Sequence, residues 1–179
     1  MGHSVGAPKE ILERPSRDLH AATSLLSARF VCGNVSFFED LTARRDRWVR
    51  KNKKALITRI LQARAERHER VERAGWALAP DLKDDVGALR DVHSLLWLIR
   101  IAGESSLDPA LSAAAGLLMS VREALHGEVS RKLDTVRMDL QPRVALRLGI
   151  EGEDAADVLM AEVHSAARTI EHLVTLQTE

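Results

Sequence analysis

The chain has 179 residues, enough for one domain with a proper core or for two small ones. Lys plus Arg equals Asp plus Glu at 26 each, so no net charge draws the molecule to nucleic acid or to an anionic membrane. Cys32 is the single cysteine, which excludes an internal disulfide and a cysteine-built metal cluster and fits a reducing, cytoplasmic location. No apolar run follows a basic start and no segment approaches about eighteen apolar residues, so neither secretion nor membrane spanning is expected.

Hydrophobic residues make up 45% of the chain, Tyr is absent, and there are three Phe and three Trp. Strands draw on β-branched and aromatic residues, so this profile favours helices. Charge is unevenly placed: residues 41–73 carry twelve Arg or Lys against four acidic residues, and residues 151–179 carry seven acidic residues against Arg168 alone. Such a layout steers a partner or pairs the chain with a second copy, or else marks two solvated helix faces.

In chain order, residues 1–15 contain Gly2, Gly6 and Pro8 with little periodicity and read as a flexible segment, leaving 16–179 as one helical domain. Ser16 is a candidate cap for a helix over 17–31, with Leu19, Ala22, Leu26 and Phe30 on one face, ended by Gly33 and Asn34. Ser36 and Glu39 form a capping-box pattern, with Phe37, Phe38 and Leu41 as buried anchors. Residues 36–73 hold no Pro or Gly, which allows one long helix or two that break near Lys51 to Lys54. Apolar anchors at Trp48, Leu56 and Ile60 thin out after Leu61, so residues 62–73 read as mostly solvated. An exposed basic arm for nucleic acid lacks aromatic interleaving and any known binding motif.

Gly75 and Pro80 mark a break before LKDDVGALRDVHSLLWLIRI, residues 82–101, the most apolar helical stretch of the chain. It predicts a central helix from near Val86 to Ala102, with Asp81, Asp84 and Asp85 at its positive end. Asp108 caps the next helix with Pro109 at its first position, running to about Leu125. A short helix ending near Met138 follows, then another over 141–148 with Asp139 or Leu140 near its start and Pro142 in its first turn. Asp154 opens a last helix to about Gln177. The expectation is an all-α fold: a six- or seven-helix bundle with a four- or five-helix core.

Two polar groups stand out. Arg90 and Asp91 are adjacent, so on a helix they cannot face each other; each needs a partner on another helix, a ligand or a second domain. Arg131 and Asp134 are three apart and can meet on one face, while Asp139 and Gln141 suit capping and bridging. The seven histidines include no i,i+4 pair and no HExxH, and the chain has no GxGxxG, no P-loop and no Asp-x-Asp pair. No complete active site is legible.

The order of these clusters resembles the protein-PII uridylyltransferase, or uridylyl-removing, family of bacteria. Its helical domain is marked by a lysine, a Gly-Pro-Gly-Gly turn and Leu-Arg-Asp before an apolar helix with a tryptophan. Here Lys83, Gly87, Leu89, Arg90 and Asp91 precede HSLLWLIR; Asp85 and Val86 stand at the Gly-Pro positions and Ala88 at a Gly position. The segment AATSLLSARFVCGNVSFFEDL, the early GHSVGAPKE, and Leu125, His126, Arg131, Asp134, Asp139 and Gln141 followed by Val144, Ala145, Leu148 and Gly149 extend the similarity over about residues 2–173.

The resemblance implies a helical accessory domain of a nucleotidyltransferase of nitrogen regulation, not catalytic by itself. The Mg²⁺ and UTP of the reaction would belong to a transferase domain upstream of these residues, with no cofactor held by this chain. Lys83, Arg90, Asp91, Arg131 and Asp134 would then face that domain or its substrate, with Gly87, Asp139 and Gln141 structural. Partners implied are the transferase domain in cis or trans and the PII signal protein. The rival readings are a helical interaction or dimerisation module, with a homodimer as partner, and a weak nucleic-acid-binding domain.

Overall fold

The computed structural model describes residues 6, 11, 13–16, 18–104, 106–129 and 132–178. Among them lie a 3-10 turn, Arg14–Ser16, and six α-helices: α1 (Leu19–Leu26), α2 (Val35–His68), α3 (Leu89–Ala102), α4 (Pro109–Glu128), α5 (Gln141–Arg147) and α6 (Ala155–Thr178). The fold is an all-α bundle. The chain divides into two compact units, Met1–Gln62 with Trp97–Ser105, and Ala63–Leu96 with Ser106–Glu179. The boundary falls inside α2 and inside α3.

In the first unit α1 is shorter than its periodicity predicts. Asp18, not Ser16, caps it by accepting the His20 N–H at 2.8 Å. It stops at Leu26, where the Arg100 guanidinium takes the Leu26 carbonyl, and Trp97 Nε1 donates to Ser27 Oγ at 3.0 Å. α2 is one helix with no break near Lys51, and its cap is Asn34, whose side-chain oxygen accepts the Phe37 N–H at 3.0 Å. Its buried stripe is only Val49, Leu56 and Ile60, which pack with Ala22, Leu26 and Ile101. Phe37 is 51% exposed and Phe30 40%, so these two are not core anchors; Phe30 instead tilts against Phe38 at 5.7 Å.

In the second unit the core comes from four helices. Leu89, Val92 and Leu95 of α3, Leu111, Leu118, Val121 and Leu125 of α4, Val144 and Ala145 of α5, and Leu159, Val163, Ile170 and Val174 of α6 are buried. α4, α5 and α6 pack pairwise on one another, so these three, and not α3, form the centre of this unit. Asp108 accepts the Ala110 N–H at 2.7 Å and Pro109 opens α4, because a missing N–H is harmless there.

Three expectations fail in this unit. The helix ending near Met138 does not form among the described residues: Val136 N–H goes to Pro80 O and Leu82 N–H to Asp134 O, both at 2.9 Å, around an isolated antiparallel bridge between Asp81 and Thr135. Tertiary partners thus take the backbone groups a helix would have used. Asp139 does not cap α5; both its carboxylate oxygens accept from Arg137, at 2.9 and 2.8 Å, and Leu140 starts the helix without a side-chain cap. α3 likewise starts at Leu89 and not Val86, since Val86 N–H is held by Glu72 O at 2.9 Å and Val86 O by Ala74 N–H at 3.0 Å.

Candidate functional site

The site lies in the second unit, where the turn before α3 meets the last two turns of α2. Gly87 is in the left-handed region, φ 80°, and a Cβ there would stand 2.4 Å from Ala167 O of α6. Only glycine lets the turn lie this close. That conformation aims the Gly87 N–H at the Asp91 carboxylate, 2.8 Å away.

Asp91 has no exposed surface. Besides Gly87 it accepts from Arg64 Nε at 3.1 Å, from the Arg67 guanidinium, and from His68 Nε2 at 2.8 Å. Burial alone would raise this carboxyl, but the His68 and Gly87 hydrogen bonds and the Arg67 charge outweigh it and hold the group below the usual carboxylate range. Arg64, Arg67 and His68 are spaced i, i+3, i+4 on one face of α2. Their part of α2 is therefore not simply solvated. Arg67 Nε is buried without a hydrogen-bond partner, and burial pulls the guanidinium below its ordinary value despite Asp91.

A second, half-exposed row of charges follows. Arg90 Nε donates to Asp84 at 3.1 Å; Lys83 Nζ lies 3.3 Å from Asp84 and 3.6 Å from Asp134; Asp134 accepts from Arg122 Nε at 2.8 Å and lies 3.1 Å from His126 Nε2. Burial raises the Asp134 carboxyl, but hydrogen bonds from Arg122 and His126 and the Arg122 and Lys83 charges bring it below its usual range. Arg90 and Asp91 thus diverge: one joins the open row, the other turns inward.

Arg131 lies outside the described residues. Asp139 is exposed and tied to Arg137. Gln141 is buried, and its Nε2 donates to Leu78 O at 2.8 Å and to Val136 O at 3.1 Å, stitching α5 to both loops. Motifs in the sequence do not single out Arg64, Arg67 and Arg122; the one-face spacing on α2, at the point where its apolar anchors stop, is the signal that could have found the first two. Among the described residues no three His, Cys, Asp or Glu side chains are grouped to hold a metal ion. No helix is long and apolar enough to cross a membrane among those residues.

A family profile described as GlnD PII-uridylyltransferase matches residues 55–117 and 108–177, a span that includes the turn, the Asp91 cluster and the charged row. The chain belongs to this family. Among curated proteins of that kind, the bifunctional uridylyltransferase/uridylyl-removing enzyme of Burkholderia vietnamiensis is 29% identical over 193 residues, covering 98% of this chain and 22% of that protein. The enzyme of the same name from Neisseria gonorrhoeae is 30% identical over 94% of this chain and 22% of its own length, and that of Nitrobacter hamburgensis is 30% identical over 83% and 18%. The chain therefore spans about a fifth of the family members it matches. No solved structure matches it.

Proposed function

We propose that this chain is the helical accessory domain of a protein-PII uridylyltransferase-like nucleotidyltransferase, acting in nitrogen regulation in the cytoplasm and without transferase activity of its own. The row Lys83, Arg90 and Asp134 is the face it turns toward a transferase domain in cis or trans, with Asp91 beneath it as support. Arg131 stays with this group on sequence grounds. The supporting observation is the row's partly exposed, alternating character: three cations, Lys83, Arg90 and Arg122, are interleaved with two carboxylates, Asp84 and Asp134. Alternating charges suit a polar protein face, whose register they fix, better than a triphosphate, which the two carboxylates would repel. UTP and Mg²⁺ are accordingly assigned to the transferase domain, and PII protein to the assembled enzyme.

The test is a chimera in which this chain replaces the corresponding stretch of the Neisseria gonorrhoeae enzyme. UTP-dependent labelling of PII protein by the chimera, lost on Lys83→Glu with Arg90→Glu, is the expected result. Labelling by the isolated chain, or a folded chimera indifferent to both substitutions, would overturn the reading.

One observation favours a second reading, an interaction module. Phe30, Val31, Val35 and Phe37 leave large apolar surface exposed in the first unit. Sedimentation of the isolated chain distinguishes it: a stable dimer lost on Phe37→Ser supports self-association, and a monomer at all concentrations removes it.

A further inference from the structure

The loop from Gly75 to Pro80 is fastened at nearly every step. Arg168 Nη1 donates to Gly75 O at 3.1 Å, His164 Nε2 to Ala77 O at 3.0 Å, and Gln141 Nε2 to Leu78 O at 2.8 Å. Pro80 O accepts the Val136 N–H. Side chains of α5 and α6 thus fix a loop whose own largest side chains point outward: Trp76 is 70% exposed and Leu78 75%. Leaving an indole and a leucine in water forgoes the stabilisation their burial would bring, on a backbone that is firmly held. Such a rigid, apolar edge is what recognition requires.

Trp76 and Leu78 flank an open cavity of 590 Å³, walled also by Glu72, Asp81, Asp85 and Thr135. Its size is that of a ligand pocket, and its lining combines apolar surface with a few convergent polar groups. No cationic side chain lines it. Asp85 is 7% exposed, accepts the Asp81 N–H at 2.8 Å, and has no ion pair among the described residues. Burial, with the charges of Asp81 and Glu72, pushes its carboxyl up against the hydrogen bonds from the Asp81 and Glu72 amides that favour the carboxylate. Asp81 gives one oxygen to the Lys83 and Asp84 amides, while the other has only a 3.4 Å contact from the Thr135 hydroxyl. Buried negative charge without a counter-cation is costly, and a cation entering the cavity relieves it. The indole's fitness for such a guest is already displayed, since the Arg168 guanidinium carbon lies 5.4 Å from the Trp76 ring centroid.

We infer that this cavity binds an organic cation on an apolar stem, an alkylammonium or guanidinium group. The charge meets Asp81, Asp85 and Glu72, and the stem lies along Trp76 and Leu78. The group comes from a lysine or arginine side chain of a partner polypeptide or from a free amine. The inference is independent of the transferase reading.

The experiment is an NMR titration of the full chain, following the Trp76 indole N–H and the Thr135 amide. The probes are the Nα-acetyl N-methylamides of lysine, arginine and norleucine, the diamine cadaverine, a lysine-containing tetrapeptide, and Mg²⁺. Saturable shifts with the cationic probes and none with norleucine are expected. Glu72→Gln, on the exposed wall, weakens binding about tenfold, the size of one charge-assisted contact. Trp76→Ala weakens it at least as much, and either variant keeps the proposal testable if Asp85→Asn fails to fold. A tetrapeptide that binds more tightly than cadaverine identifies a polypeptide source, and the reverse order a free amine. Shifts from norleucine equal to those from lysine, from Mg²⁺ alone, or unaltered by Glu72→Gln and Trp76→Ala would overturn it.

Discussion

The Gly87 amide and the Asp91 carboxylate, 2.8 Å apart, close the turn that starts α3. The glycine is required twice, by its φ of 80° and by the Ala167 carbonyl that a Cβ would strike. The aspartate then gathers Arg64, Arg67 and His68 from α2. The pair therefore joins α2 to α3 through one buried charge and sets the turn closely against α6.

Gly87→Ala is expected to be far more damaging than a substitution at another left-handed glycine. Gly149 has the same φ of 80°, but no atom lies within 4 Å of where its Cβ would stand, so Gly149→Ala carries only the left-handed cost, about 1 kcal/mol. Gly87→Ala adds displacement of the α6 backbone and loses about 3 kcal/mol or more. Urea unfolding of the two variants side by side checks this; equal losses would mean that the contact with Ala167 is not rigid.

Asp91→Ala leaves Arg64 and Arg67 without their carboxylate in a largely buried site. A loss of about 3–5 kcal/mol is expected, the usual result of removing one partner from a buried pair. Asp91→Asn keeps the shape and the acceptor for Gly87 but not the charge, and so falls between wild type and Asp91→Ala. Thermal and chemical unfolding would rank the three.

Acid should weaken the second unit with a definite sign. Asp91 and Asp134 both have carboxyls held below the ordinary value of 3.8, so each contributes stability that is complete above that value and is lost as pH falls through it toward the folded-state values. Asp85 has the opposite sign: raised in the fold, it favours folding at low pH, and that contribution disappears as pH rises through 3.8 to its folded-state value. Asp134→Asn should flatten the acid limb of the stability profile, and Asp85→Asn should enlarge the fall in stability between neutral pH and about pH 4. Unfolding free energies measured across the acid range decide both.

Lys83→Glu and Arg90→Glu act on side chains that are more than a third exposed, where ion pairs contribute little. Their stability changes should stay within about 0.5 kcal/mol. The same substitutions should lower labelling of PII protein by the chimera, so a fall in activity at unchanged melting temperature marks a contact face. A parallel fall in both would mark a folding defect.

The helices are largely legible in the sequence because their signals are local. The Asp108–Pro109 start of α4, the apolar spacing of α6 and the all-α character follow from capping and period alone. The failures share a cause. Asp139 and the segment before Met138 have strong local preferences, but Arg137, Pro80 and Leu82 offer their polar groups better partners. Hydrophobicity assigns Phe30 and Phe37 to a core, yet it specifies only that a side chain gains from burial and not what is present to bury it.

By itself the sequence determined the helical class, the Gly87 to Asp91 frame and the family to which that frame pointed, since spacing within a few residues is fixed by backbone geometry. Only the tertiary structure decided that Asp91 turns inward to α2 while Arg90 turns outward to Asp84, and that the loop carrying Trp76 and Leu78 is pinned over a carboxylate-lined cavity. Apart from the Arg90–Asp84 pair, six positions apart, those outcomes join residues tens of positions apart, and which distant partner a charge finds depends on how the helices pack.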